Sequence, residues 1–300
     1  MSSLRLKRVL ITGGAQGVGR ALAFRFAQAG AEIVLTDVNP QALEATADEL
    51  RADGHRCRAY TLDVTDDAAI AAVRDRLHDE AGTVDILVNN AGVVFGGPFK
   101  DISMAQHRAT YRVNVEGLVA MTHAFYDDVI TAPGGHFVFI ASASGFVGLP
   151  NGSTYASSKW AVIGFAESIR AELKHAGLRA GVTTVCPTYI ATGMFEGAKP
   201  PKTTRFLEPD EIAEKVVEGV EQDKVWVREP WIVKLTPFLK HCLPTSVSDY
   251  LSDAFGATTS MNQWQGHGEG PSGPGSNGAE ARRPAPSATV SGAESGDVTH

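Results

Sequence analysis

The chain has little cysteine: Cys57, Cys186 and Cys242 stand far apart among 300 residues. No CxxC pair or His/Cys cluster occurs, which argues against a zinc site, and no metal is expected. Isolated thiols fit a reducing compartment, and the expected localisation is cytoplasmic. No run of 18 apolar residues is present, so a membrane-spanning helix is not expected. "MSSLRLKRVLITGG" passes straight into a strand and a glycine turn, without the apolar stretch and cleavage site of a secretory leader. Positive charge is in deficit, 27 Lys and Arg against 34 Asp and Glu, and the net charge of −7 argues against nucleic acid as a partner. There is no internal repeat of solenoid length. Large apolar side chains almost vanish from residues 266–300, which are dominated by Gly, Pro, Ser and Ala. Such a segment cannot offset its ordering entropy by burial and is predicted to be a disordered tail after one folded domain, 1–265.

What is there is a 43% hydrophobic chain that alternates short apolar runs with helical patterns. Strands are predicted at "RVLIT", "EIVLTD", "RCRAYTLDV", "VDILVNNAG", "GHFVFIASAS", "GVTTVCPT" and "KVWVRE". Helices are predicted over 18–29, from Pro40 to Gly54, after Asp66 as a cap, over 103–129 as one long region, over 155–175 and over 210–221. Apolar strands separated by helices of this length form a parallel sheet covered on both faces. The fold class is therefore α/β, a single doubly wound Rossmann-like domain. Function should lie along the carboxyl ends of its strands.

"ITGGAQGVGRA" places Gly13, Gly17 and Gly19 between the first strand and the first helix, where glycine allows a tight turn and close approach to a pyrophosphate. The helix N-terminus adds free amides and a positive dipole end. No Gly-Lys-Ser/Thr follows, so this is not a phosphate loop of the ATPase kind. Asp37 ends the second strand, at the usual distance of a ribose-binding carboxylate. It would repel a 2′-phosphate, and no arginine neighbours it, so the expected cofactor is NAD and not NADP. A helix-capping Asp is the bland alternative. Asp63, closing the third strand, can contact adenine or be an ordinary strand-end residue. In "NNAG", Asn90 can tie neighbouring backbones and Gly92 can admit a cofactor, although Asn and Gly also favour plain turns.

Tyr155 and Lys159 in "YASSK" are four apart and share a helix face. A lysine beside a phenol favours the phenolate, which would bring a tyrosine toward useful acid/base chemistry. "TGGAQGVG", Asp37, "NNAG", Asn114 in "YRVNVEG", Ser142 in "IASASG", and "YASSK" follow one another in order. In these blocks the chain resembles the classical short-chain dehydrogenase/reductase family over roughly residues 7–230. The resemblance implies a mainly parallel seven-stranded sheet, a nicotinamide cofactor, and a catalytic tetrad of Asn114, Ser142, Tyr155 and Lys159. It extends the cofactor contacts to Gln16, Val18, Val64, Ala91, Pro187 and Thr192, and it implies a homodimer or homotetramer. One departure is Thr188 in "CPTYIATG", where the family usually has glycine.

The expected chemistry is hydride transfer between NAD and an alcohol or ketone. Tyr155 carries the proton, Ser142 positions the oxygen, Lys159 lowers the tyrosine pKa, and Asn114 stabilises a helix distortion and a water leading toward Lys159. A sugar-nucleotide epimerase or dehydratase is an alternative, as is an NAD-binding regulator without turnover. The expected substrate contacts are Val94, Ser142, Ser144, Leu149, Tyr155, Met194 and Phe195. Arg and Lys are scarce around them, which favours a hydrophobic secondary alcohol or ketone of lipid, retinoid or steroid type. From about 225, "VWVREPWIVKLTPFLKHCLP" mixes apolar and basic residues. It resembles the C-terminal extension of lipid- and retinoid-active members. Subunit packing, pocket closure and peripheral membrane contact are the roles open to it.

Overall fold

The computed structural model describes residues 4–266 apart from Thr203. The predicted tail from 267 onward lies outside the described residues. Seven strands run β1 Arg8–Thr12, β2 Glu32–Asp37, β3 Cys57–Thr61, β4 Ile86–Asn89, β5 His136–Ile140, β6 Gly181–Pro187 and β7 Trp226–Glu229. They form one sheet in the order β3-β2-β1-β4-β5-β6-β7, and every neighbouring pair is parallel. Between β1 and β4 the winding reverses, with Val9 opposite Ile86 and Ile11 opposite Val88. A ligand crevice belongs at that reversal, beyond the strand ends.

The strands read as continuous apolar runs because both faces are covered. Val9, Ile11, Ile33 and Leu35 point into one buried cluster with Leu22 and Phe26 of α1 (Gly17–Gln28), Leu43 of α2 (Pro40–Ala52) and Ile212 of α8 (Pro209–Glu221). Leu10, Leu87, Phe137 and Phe139 point the other way, toward Leu77 of α3 (Asp67–Ala81) and Val162 of α7 (Ser153–His175). Fully burying each such side chain contributes about 1.5–3 kcal/mol. Local signals behave as expected at two helix starts. Asn39 accepts from the amide of Ala42, with Pro40 in the first turn, and Asp66 accepts from the amides of Ala68 and Ala69.

The helical region expected over 103–129 is present but divided, first at Asn114, the position of the expected distortion, and again at Phe125. It comprises α4 (Met104–Tyr111), a π-helical turn (Arg112–Gly117), α5 (Leu118–Ala124) and α6 (Tyr126–Thr131). The π turn seats the buried Asn114, whose side chain bonds outside its own helix. The second break falls at Phe125, fully buried in the second cluster. Beyond it Asp128 is drawn into hydrogen bonds with the Val84 amide and His78. Among the described residues no helix is long and apolar enough to cross a membrane, and no cluster of His, Cys, Asp and Glu is placed to hold a metal. All three cysteines are free. Burial pushes the thiols of Cys57 and Cys186 up to about 12, whereas Cys242, closing α9 (Thr236–Cys242), is exposed.

Candidate active site

The glycine turn after β1 is shaped by close approach. Gly13 and Gly17 adopt φ +63° and +55°, the left-handed region that glycine tolerates. A Cβ on Gly19 would lie 2.0 Å from the Gly13 carbonyl oxygen, so α1 can pack here only with glycine. Gln16 precedes α1 in extended geometry and makes no side-chain cap, leaving the first amides of the helix without a capping side chain. Asn90 fastens the turn to the end of β4: its amide donates to the carbonyls of Thr12 (2.9 Å) and Gly13 (3.0 Å). The Thr12 hydroxyl in turn accepts from the amides of Asn90 and Ala91, each at 3.0 Å. The Asp37 carboxylate accepts from Ala15 N (3.1 Å) and Asn39 N (3.0 Å), which fixes its orientation at the rim. Asp63 accepts from the amide and hydroxyl of Thr65, an ordinary local turn.

At the other end α7 carries Tyr155 and Lys159, both buried. Ser142, the cap of a short turn after β5, accepts from Ser144 N at 3.2 Å and lines the same cleft as Tyr155. Lys159 Nζ donates to Ile140 O at 2.8 Å and lies 5.7 Å from the Tyr155 ring centroid. Asn114 clasps Val93 twice, accepting from its N–H (2.8 Å) and donating to its C=O (3.0 Å), and donates to Ser158 Oγ at 3.0 Å. A Cβ on Gly92 would stand 3.3 Å from Asn114 Oδ1 and 3.6 Å from Lys159 Nζ, so glycine keeps that space open.

Burial holds the Tyr155 hydroxyl above the ordinary tyrosine range; Ser142 opposes this, and nearby Tyr189 adds to it. Lys159 is desolvated too: burial pulls its ammonium down to about 8, with the Cys186 thiol acting in the opposite direction.

A cleft of about 430 Å³ connects the two ends. Gly13, Gln16, Gly17, Val18, Asp37, Asp63, Val64, Asn90, Ala91, Gly92, Pro187 and Thr192 line it, together with Ser142, Tyr155, Lys159, Met194 and Phe195. Gly19 does not; it serves the packing of α1 against the turn. Asn114 stands behind the wall. Ser144 also lies off the cleft, buried, its carbonyl accepting from Trp160 Nε1 and its hydroxyl without a partner among the described residues. Thr188 lines the cleft and has a buried hydroxyl without a partner among the described residues. A glycine-lined helix start, a rim carboxylate and an unpaired hydroxyl in one crevice fit a dinucleotide.

Val94, Leu149, Met194 and Phe195 gather with Tyr155 in a third apolar cluster. Sequence reasoning missed the other members: Tyr189, Ala198, Phe206, Met261 and Trp264. The one available signal was the isolated Trp264 and Met261 in polar "SMNQWQG", just ahead of the small-residue tail. Gly266, assigned to that tail by composition, is buried beside the Trp264 ring. The extension from 225 packs elsewhere: Lys240 Nζ donates to Phe146 O at 2.9 Å and sits 3.9 Å from the Trp160 ring centroid. Trp231, Phe238 and, on α10 (Thr245–Ala254), Tyr250 are largely exposed.

Comparison with known proteins accounts for this architecture. Residues 7–203 match the family described as short chain dehydrogenase. Epidermal retinol dehydrogenase 2 of Homo sapiens is 36% identical over 260 residues, covering 85% of this chain and 84% of the relative. The crystal structure of a Burkholderia phymatum short chain dehydrogenase/reductase in complex with NAD superposes with a TM-score of 0.75 at 26% identity, covering 83% of this chain and 97% of that one. A metagenomic short-chain oxidoreductase in complex with NADP gives 0.65 at 31% identity, covering 76% and 98%. Its seven parallel strands, its crevice at the β1/β4 reversal and these likenesses make the chain a member of the classical short-chain dehydrogenase/reductase family, oxidoreductases that use NAD(P).

Proposed function

We propose that the protein interconverts a hydrophobic secondary alcohol and its ketone with NAD as cofactor, and that Tyr155 is the general acid/base. The observation that carries this reading is the convergence of Ser142, Tyr155 and a buried Lys159 on one glycine-lined crevice. A bound nicotinamide supplies the hydride acceptor or donor and, when oxidised, a positive charge. Tyr155, held protonated by burial, donates its proton to a ketone oxygen in the reductive direction; oxidation requires it to take the alcohol proton. Ser142 holds that oxygen in place. Lys159 contributes positive charge near the ring and can bind ribose hydroxyls. Asn114 ties the loop at Val93 to Ser158 of α7.

Asp37 supports NAD over NADP, since its fixed carboxylate would meet a 2′-phosphate as a like charge. The apolar cluster around Tyr155 supports a hydrophobic substrate, in keeping with the retinol dehydrogenase relative. A non-catalytic NAD binder would share the crevice without needing the Ser142–Tyr155 pair. A panel of secondary alcohols and ketones assayed with both cofactors, read by nicotinamide absorbance, separates these readings. Turnover with NAD is expected; cofactor binding with no turnover across the panel would overturn the dehydrogenase reading. The exposed Trp231, Phe238 and Tyr250 support a second copy or a membrane surface as partner, which sizing chromatography and vesicle co-sedimentation tell apart.

A further inference from the structure

Met194 and Phe195 line the cleft, and Met261 and Trp264 of the C-terminal strap, residues 256–266, pack in the same cluster. Met261 is almost wholly buried in the same cluster as Tyr155. Trp264 packs against that cluster and donates its Nε1–H to the Met194 carbonyl at 3.0 Å. The strap closes on the loop after β4 with no room to spare. A Cβ on Gly96 would sit 2.7 Å from the Trp264 indole and 3.1 Å from the Met261 methyl. Few ties hold it. Lys199 N donates to Ser260 O and Gln265 N to Glu196 O, each at 2.8 Å; Tyr189 Oη donates to Ser260 Oγ at 2.7 Å, and Asn151 Nδ2 to Asn262 Oδ1 at 2.9 Å.

We infer that Met261 and Trp264 form the far wall of the substrate site and set the length of the apolar chain it admits. The inference rests on the alcohol/ketone reading above. A substrate whose oxygen lies between Ser142 and Tyr155 would meet Phe195 in the cleft and, behind it, Val94, Leu149, Met261 and Trp264 of the same apolar cluster. Thioether side chains adapt to irregular space, so Met261 can yield to a longer chain, whereas the indole, hydrogen-bonded to Met194, is the firmer stop. Shortening either residue opens room for further methylenes. Each one newly buried should raise kcat/KM about four-fold.

The test is a homologous series of straight-chain secondary alcohols assayed on the wild type, Met261→Ala and Trp264→Ala. For wild type, kcat/KM should climb with length and then level off. In both variants the plateau should move at least two methylenes longer, through a lower KM for the long members. The kcat for the shortest alcohol and the affinity for NADH should stay unchanged. Trp264→Phe keeps the ring and loses the Met194 hydrogen bond, and should retain the wild-type plateau. If Trp264→Ala fails to fold, Met261→Ala decides the matter. The same series of ketones is titrated calorimetrically against enzyme with NAD, a complex that cannot react. A wild type that binds the ketones by length but turns over no alcohol overturns the dehydrogenase reading alone. Length profiles identical in wild type and variants, by turnover and by binding, overturn the wall.

Discussion

Lys159 Nζ lies 5.7 Å from the Tyr155 ring centroid and spends one N–H on the carbonyl of Ile140. The two groups are buried together, and desolvation raises the phenol pKa while lowering that of the ammonium. Burial therefore favours the protonated phenol of Tyr155.

Tyr155→Phe keeps the ring and its packing on Phe195 and deletes only the hydroxyl. Turnover should drop by about 10²–10⁴-fold, the usual weight of a general acid/base. The Kd for NADH, titrated by fluorescence, should hold. Near-normal turnover in the variant would remove Tyr155 from the chemistry.

Asp37→Ala removes the rim carboxylate. The NAD/NADP ratio of kcat/KM should shrink by about ten-fold, the size of one partly screened like-charge contact. Because Asp37 also accepts from Ala15 and Asn39, a modest loss of melting temperature is expected alongside. Both cofactors must be compared at matched folding. A wild type that prefers NADP would overturn the cofactor assignment.

His136, buried at the start of β5, gives the fold a pH dependence. Thr183 Oγ1 donates to Lys224 O, so it accepts from His136 Nε2, and the ring is neutral with its proton on Nε2. Desolvation lowers its pKa to about 4, and exposed Asp223, 3.9 Å away, is too well solvated to reverse this. The unfolded chain binds a proton near pH 6.5 and the folded chain only near 4, so stability is full above 6.5 and is lost as pH falls toward 4. The loss should reach about 2 kcal/mol by pH 5. Urea midpoints of wild type and His136→Asn at pH 7.5 and pH 5 check it: the wild-type advantage should narrow in acid. A gap that does not change with pH would refute the assignment.

Ending the chain at Gly266 should leave the melting temperature within about 2 °C of wild type, because the residues beyond offer little to bury. Ending it at Phe255 removes Met261 and Trp264 from the third cluster and should lower the melting temperature well beyond that margin. Unfolding on the shorter deletion would move the domain boundary into the tail.

The sheet was legible from sequence because its strands are apolar on both faces and punctuated by Gly, Pro and capping Asn or Asp. Asn39 and Asp66 behave as their positions suggest. The break at Phe125 was not legible, since it depends on contacts that only the folded core supplies, among them Asp128 with Val84. The cleft brings together residues from the ends of β1, β4, β5 and β6 that short motifs had marked. The raised pKa of Tyr155 was hidden because spacing reports the presence of Lys159 but not the shared burial. The strap was hidden for a different reason. Met261 and Trp264 sit in a polar stretch with no periodicity, and their burial depends on Gly96 and Gly197, far away in sequence; a Cβ on Gly197 would meet Gln263 O at 2.0 Å.

The three free thiols have a practical consequence. At neutral pH a maleimide needs both access and thiolate, and burial denies these to Cys186 and restricts them at Cys57. The exposed Cys242 is left as a single address for a dye or spin label on the native protein, with no cysteine to remove first. It lies on α9, four residues from exposed Phe238, so a label there would report directly on whatever covers that apolar surface.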